Sequence, residues 1–432
     1  MITTRYVREN IDAIRKSLEK RKSDYPIDEL LELDKAWRDS KTKLQELQSK
    51  RNKLSLEIAE LKKKGMNDEA AEKAKEAAQI KEDIDKLSAE TSKNEARIDY
   101  LLLNLPNVLH ETVPYGKDSS ENIEIKKWGE PVRRSIKGHD EILKGLGLLD
   151  TEQAAEVSGA RFYYLKGDLA LLEHALMHFA IDEMVKKGYE LIEPPLLMKK
   201  QYYKGVTALG DFEEMLYRVG EPLESKGTDM EHVDEDLFLI ATSEHPIAAM
   251  HANHVFSAKD LPKKYVGYSP CFRREAGAHG KDTKGIFRTH QFYKVEQFIF
   301  SKQEDSWKYH EELLHNEEEL FQKLGIPYRV VNICTGDLGV VAAKKYDIEA
   351  YMPAQNEYRE VTSCSNCTDW QSLRLDIKYD EGNERKYVHT LNATAIAANR
   401  AMVAIIENYA LDNGKVKVPD ALVPYIGKDI IG

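Results

Sequence analysis

Cys271-Phe272-Arg273-Arg274-Glu275, the run Ala276-Gly277-Ala278-His279-Gly280-Lys281-Asp282-Thr283-Lys284-Gly285, then Phe287-Arg288-Thr289-His290-Gln291-Phe292 and Val295-Glu296 form one continuous signal. Two extended flanks are joined by about ten small and basic residues, which predicts a long β-hairpin with a mobile tip. Arg273 and Glu275 stand two apart, so alternation along a strand puts both on one sheet face. Arg288 and Phe292 share a face of the return flank, with His290 between them. Arginine binds phosphate bidentately, an aromatic ring stacks on a base, and a carboxylate accepts from amino hydrogens, so such a face suits a nucleotide. A surface hairpin with ordinary ion pairs fits the same pattern.

Outward from the hairpin, short β-type runs (Glu190-Leu191-Ile192-Glu193, Lys264-Tyr265-Val266-Gly267-Tyr268, Gln297-Phe298-Ile299-Phe300) alternate with helical stretches near residues 169–187 and 304–324. There is no βαβ rhythm, no G-x-G-x-x-G and no Walker A loop, so the expected fold is α+β on an antiparallel sheet, over residues 138–432. Residues 106–137 are polar and rich in Gly and Pro, and read as a linker.

Residues 28–105 carry the clearest periodicity. Leu30, Leu33, Trp37, Ser40, Leu44, Leu47, Arg51, Leu54, Ile58 and Leu61 alternate gaps of three and four, and so do Ala70, Lys73, Ala77, Ile80, Ile84, Leu87, Thr91, Asn94, Ile98, Leu101 and Leu105. Both series follow a heptad. Lys64-Gly65-Met66-Asn67-Asp68 breaks them, with Gly65 as helix stop. The expectation is an antiparallel helical hairpin whose helices of about 36 residues reach roughly 54 Å, projecting as an arm of an N-terminal domain over residues 1–105. Pro106 ends the second helix. The first helix is rich in lysine and arginine, which reads either as a solvated face or as a phosphate-binding stripe.

Composition narrows the class. The net charge of -11 argues against a general nucleic-acid binder but leaves room for a local basic stripe. Four cysteines in 432 residues form no disulfide framework. No apolar run reaches the roughly 18 residues of a membrane span, and residues 1–22 lack an apolar signal core. A cytoplasmic protein without membrane association is expected. Cys364-x-x-Cys367 has no second pair to complete a zinc site. His290 is read as a hydrogen-bonding residue, and His279, at the hairpin tip, as either a nucleic-acid contact or solvent-exposed.

Two further clusters accompany the hairpin: Thr242-Ser243-Glu244, and Glu360-Val361-Thr362-Ser363 through Cys367 together with Leu391-Asn392-Ala393-Thr394 and Arg400. With these residues in place, Phe-Arg-x-Glu, the glycine-rich loop and Arg-x-His-Gln-Phe resemble motif 2 of class II aminoacyl-tRNA synthetases, and of the seryl branch in particular. The segment from Gly188-Tyr189 to Pro195-Leu196-Leu197 resembles motif 1, the dimer-forming element, and the segment from Leu391 to Arg400 resembles motif 3. The helical hairpin is similar to the tRNA-binding arm of the seryl enzymes.

The resemblance implies ATP, Mg²⁺, L-serine and tRNA(Ser) as ligands, a homodimer, and tRNA(Sec) as a further substrate where it occurs. It implies that Arg273 binds the α-phosphate and the serine carboxylate. Glu275 would hold the adenine end, Phe292 would stack on adenine, and Arg400 would cover its other face. Thr289 and Arg288 match further ATP contacts, as do Arg274, Val361 and Thr362. Glu360 and Ser363 match the positions that carry Mg²⁺. Thr242, Ser243, Glu244, Glu296, Asn392 and Thr394 would surround serine, with Glu296 and Thr394 reading its hydroxyl. Two departures stand out: residues 393–399 contain no glycine, and Leu373 stands where the first arginine of a pair is expected. A synthetase for another amino acid, or a non-catalytic relative, are the competing readings. The presence of Arg273, Glu360 and Arg400 argues against the latter.

Overall fold

The structure, a computed structural model, describes residues 3–133, 135–208, 215–219, 237–275, 284–382 and 384–432. The chain divides into two compact units, Ile2–Leu105 and Pro106–Gly432.

In the first unit, α1 (Thr4–Glu9) and α2 (Ile11–Arg21) precede two long helices, α3 (Ile27–Lys63) and α4 (Asn67–Asn104). The heptad residues are buried or half-buried throughout, and Leu54, Ile80 and Ile84 form a cluster with Leu44, Leu47 and Ala77. Gly65 adopts φ +77, and the N–H groups of Gly65 and Met66 return to the carbonyls of Lys62 and Leu61. This is the left-handed helix stop that glycine permits most cheaply. Ion pairs join Lys41 to Glu95 and Lys50 to Glu76 across the hairpin. Those two lysines therefore serve the hairpin itself, whereas Lys43, Lys53 and residues 62–64 are exposed. The heptads gave no signal for Asp34, which is 1% exposed and held by Arg8 and Arg38.

In the second unit the helices continue as α5 (His139–Gly145), α6 (Glu152–Ser158), α7 (Asp168–Lys186), α8 (Lys200–Val206), α9 (Glu244–Met250), α10 (Ser306–Lys323), α11 (Trp370–Leu375), α12 (Ala398–Tyr409) and α13 (Val423–Ile426). The main sheet has eight strands: β1 (Ile123–Trp128), β2 (Glu190–Ile192), β3 (Lys263–Phe272), β4 (Gln291–Ser301), β5 (Tyr328–Asn332), β6 (Lys344–Met352), β7 (Glu357–Asn366) and β8 (His389–Ala397). Their order is β1-β5-β6-β7-β8-β4-β3-β2. All neighbours are antiparallel except β2 and β3, which are parallel. The core joins α7, α10 and α12 to the sheet.

Two expectations are corrected. Residues 106–137 are not simply a linker: β1 pairs with β5 at the sheet edge, and Asn107 Nδ2 donates to the carbonyls of Val341 and Cys367 at 2.8 and 2.7 Å. An edge strand buries little, so its polar sequence hid it. The hairpin is also shorter than its pattern suggested. β3 ends at Phe272 and β4 begins at Gln291, and Glu275 has φ +47, so strand alternation does not govern residues 273–275 and 284–290. The tip, including His279, lies outside the described residues.

Candidate active site

β7 and β8 pair only through Cys364–Ala393, Ser365–Asn392 and Asn366–Leu391. Beyond Cys364 the strands part, and a cleft opens between them. The register shifts on both flanks. Val361 is the extra residue of β7 against β6, and Ala395 is the extra residue of β8 against β4. Such bulges bend a strand and re-aim its side chains. The cleft encloses about 470 Å³, part of it open solvent, within the range of small-molecule sites.

Of the residues expected at ATP, Arg273, Glu275, Arg288, Thr289, Phe292, Glu360, Val361, Thr362, Ser363 and Arg400 all line this cleft. Arg274 does not; it is exposed, and its N–H donates to the Met215 carbonyl. Arg273 Nε donates to the Ala241 carbonyl at 3.2 Å, and its guanidinium carbon lies 5.4 Å from the Phe292 ring centre. Phe292 packs on Cys271 and Ala397. His290 bonds through Nδ1 to the Arg273 carbonyl at 2.9 Å, a hydrogen-bonding role. Arg288 faces Glu275 at 3.7 Å, and Arg400 Nη1 meets Glu360 Oε1 at 3.0 Å. Burial opposes charge on Glu360, but Arg400, with Lys345, outweighs it and holds that carboxyl below its ordinary range. An ionised carboxylate in a cleft that Ser363 also lines supplies hard oxygen donors of the kind Mg²⁺ takes.

Of the residues expected at serine, Arg273 and Thr394 line the cleft, whereas Thr242, Glu244, Glu296 and Asn392 do not; the register sets Thr394 directly opposite Glu296. Thr394 Oγ1 donates to Glu296 Oε2 at 2.9 Å, and Lys294 Nζ approaches the same oxygen at 2.6 Å. Glu244 Oε1 accepts from Gln371 and Asn392 at 3.0 and 3.1 Å. Burial and the nearby Glu296 push the Glu244 carboxyl up to about 7. The Thr242 hydroxyl is turned to the Glu244 N–H at 3.2 Å. Gly267 lets α9 approach this closely, since a Cβ there would meet Ser243 Oγ at 2.5 Å. Ser243 itself is fully buried, with its hydroxyl 3.4 Å from the Gly267 carbonyl, so its side chain packs rather than lining the cleft.

Sequence reasoning missed Lys294, Ala397 and Asn399 in the lining. It also missed Phe287, whose ring lies 5.4 Å from the Arg400 guanidinium and 4.8 Å from that of Arg359. Lys294 carried no local signal, because a buried lysine is recognised by its partner, here Glu296, and not by its neighbours in sequence. The four cysteines are free and buried. Cys367 Sγ accepts from Asn392 Nδ2 at 3.5 Å, and among the described residues no three metal-ligating side chains cluster.

Residues 226–409 match the family described as tRNA synthetase class II core domain (G, H, P, S and T), and residues 1–109 match the seryl-tRNA synthetase N-terminal domain. The serine–tRNA ligase of Methanocella arvoryzae is 48% identical over 434 residues, 99% of each chain. The chain belongs to the seryl-tRNA synthetase family.

Solved structures of that family agree with the fold. The seryl-tRNA synthetase from Pyrococcus horikoshii complexed with ATP superposes with TM-score 0.87 at 44% identity, covering 100% of this chain and 99% of that one. The cytoplasmic serine–tRNA ligase of Naegleria fowleri in complex with AMP gives 0.82 at 40% identity, covering 98% and 95%. Among the described residues no helix is long and apolar enough to cross a membrane.

Proposed function

We propose that this chain activates L-serine with ATP to seryl-adenylate and transfers the seryl group to the 3′-hydroxyl of the terminal adenosine of tRNA(Ser), and of tRNA(Sec) where it exists. The carrying observation is the meeting of two sets of groups in one cleft. Phosphate-binding arginines and an ionised carboxylate lie at one end. At the other, Thr394 and Lys294 line the cleft and both bond to Glu296, and near Glu296 the Glu244 carboxylate accepts from Asn392 and Gln371.

The chemistry asks the protein mainly to position reactants and to stabilise charge. Arg273 would hold the serine carboxylate against the α-phosphate and neutralise the charge that builds there. Phe292 would stack on the adenine, and Glu275 would accept from its amino group. Arg288 and Arg400 would bind the outer phosphates. Glu360 and Ser363 would hold Mg²⁺, which when bound neutralises charge on the departing diphosphate. Glu244 and Glu296 would bind the serine ammonium. The Thr394 hydroxyl and Glu296 together would read the serine hydroxyl. Alanine has no hydroxyl to offer them and would forgo those bonds, which penalises it.

The α3–α4 hairpin would contact the phosphate backbone of the long variable arm of the tRNA through Lys43, Lys53 and residues 62–64. Leu191, Leu196 and Leu197 are 40%, 40% and 41% exposed on the motif 1 segment, an apolar surface that supports a homodimer. The enzyme would work in the cytoplasm.

The test is amino-acid-dependent ATP–pyrophosphate exchange with Mg²⁺, run with serine, threonine, alanine, cysteine and proline in parallel. Exchange with serine alone is expected. Exchange with another amino acid would overturn the pocket reading, and exchange with none would overturn the synthetase reading.

A further inference from the structure

Behind the cleft runs a buried chain of hydrogen bonds whose central members do not line it. Glu407 lies on α12, two turns beyond Arg400, and is 1% exposed. Its Oε1 accepts from the His139 backbone N–H at 3.3 Å and faces His139 Nδ1 at 3.1 Å. Its Oε2 accepts from the N–H of Ala354, in the turn between β6 and β7, at 3.1 Å. His139 opens α5 and is 5% exposed. Its Nε2 lies 3.3 Å from the backbone N of Ile286.

These contacts decide the ring's proton. A backbone N–H only donates, so Nε2 must present its lone pair to Ile286. The ring proton is then on Nδ1, directed at the Glu407 carboxylate. Glu407 thus fixes the orientation of the imidazole and the nitrogen that faces it with a proton, as a carboxylate does for a histidine elsewhere in protein chemistry. Gly285 completes the joint. It has φ +69, and a Cβ there would fall 2.0 Å from His139 Nε2.

What the joint holds is the return flank of the glycine-rich loop. Ile286 is directly followed by Phe287, whose carbonyl accepts from Asn399 Nδ2 at 3.1 Å, and by Arg288, which lines the cleft. The Ala354 turn leads within β7 to Arg359 and Glu360. One carboxylate on the helix of Arg400 therefore ties together both walls of the ATP end. The serine end, built from β4, β8 and α9, takes no part in it.

We propose that His139, held by Glu407 with its Nε2 turned to Ile286, is a positioning residue for ATP: it holds Ile286 in place and thereby sets Phe287 and Arg288. The inference rests on the reading of the cleft as an ATP site. Its signature is selective, because losing the joint should weaken ATP and leave serine alone.

Two substitutions separate positioning from mere stability. His139→Asn keeps an amide near the Nδ1 position but is too short to reach Ile286. His139→Gln places an amide oxygen near the Nε2 position. KM for ATP and for serine is measured by serine-dependent exchange, and the Kd of ATP without serine by calorimetry. For His139→Asn, a rise on the order of tenfold in both ATP constants is expected, the scale of one lost buried hydrogen bond, with serine KM within about twofold. His139→Gln should recover most of the loss. Unchanged ATP constants, an equal rise for serine, or no recovery in His139→Gln would overturn the proposal. If His139→Asn does not fold, Gly285→Ala carries the test: a methyl driven against the ring should raise the ATP constants alone, and a result without that selectivity counts against the joint. A wild-type chain that binds ATP but shows no serine exchange would refute the synthetase reading, while the ATP Kd series would still judge the joint.

Discussion

Glu244 offers a quantitative check on the serine pocket. Its carboxyl is pushed up to about 7 by burial and by the neighbouring Glu296, against the opposing pull of Lys294, Gln371 and Arg273. A serine ammonium can pair with it only when it is ionised. Lowering the pH through that value should therefore raise the serine KM by the factor 1 + 10^(pKa − pH), roughly 1.1 at about pH 8 and roughly 11 at about pH 6. The expected change is about tenfold at saturating ATP, read by exchange. Asp347 is pushed up as well, by burial, so the profile is compared with Glu244→Gln. That variant should have a high serine KM that no longer follows pH over this range. Stability runs in the opposite sense. A carboxyl raised from 4.5 to about 7 favours the folded state below its ordinary value, and that contribution is lost as pH rises through the folded value. The scale is on the order of 3 kcal/mol at most. Serine should therefore raise the melting temperature more at about pH 8 than at about pH 6. A flat serine KM profile in the wild type, or an equally steep one in Glu244→Gln, would refute the assignment.

Arg273→Ala should lower serine-dependent exchange by about 10²–10³-fold, because charge developing at the α-phosphate loses its partner; near-normal exchange would sink that role. Thr394→Val keeps the volume but removes the donor to Glu296, so serine kcat/KM should drop by roughly 10–100-fold with ATP KM unchanged. Deleting residues 28–105 should spare exchange and abolish charging, and tRNA binding by the full chain should weaken steeply with salt; a deletion that still charges tRNA would rule out a tRNA grip by the arm. Gly205→Ala would put a Cβ 2.3 Å from Leu375 Cδ2, where α8 meets α11, and should cost about 1–3 kcal/mol in thermal unfolding.

The arm was readable almost residue by residue. Helix contacts recur every three or four positions, so the heptads named the buried seam from Leu30 to Leu105 without reference to the rest of the chain. Gly65 was likewise legible, because a left-handed stop is a local backbone demand. The outer cleft was legible for a similar reason: Arg273, Glu275, Arg288, Thr289 and Phe292 lie within one short stretch, and Glu360 to Ser363 within another. The same reading erred where neighbours in sequence ceased to be neighbours in a strand. Glu275 turns to positive φ, Ser243 rotates to Gly267, and Arg274 faces out.

What the sequence alone determined, then, were the elements whose partners are close along the chain: two heptad helices, the hairpin flanks and the residue types that line the outer cleft. Only the tertiary structure decided how far β7 and β8 pair before they part, that bulges at Val361 and Ala395 aim their side chains, and that Lys294 and Thr394 converge on one oxygen of Glu296. It also decided that His139 meets Glu407 across 268 residues and that β1 closes the sheet edge. The physical reason is the same in each case. Cross-strand register and buried polar pairing depend on which distant segments the whole core brings together, and no local periodicity encodes that choice.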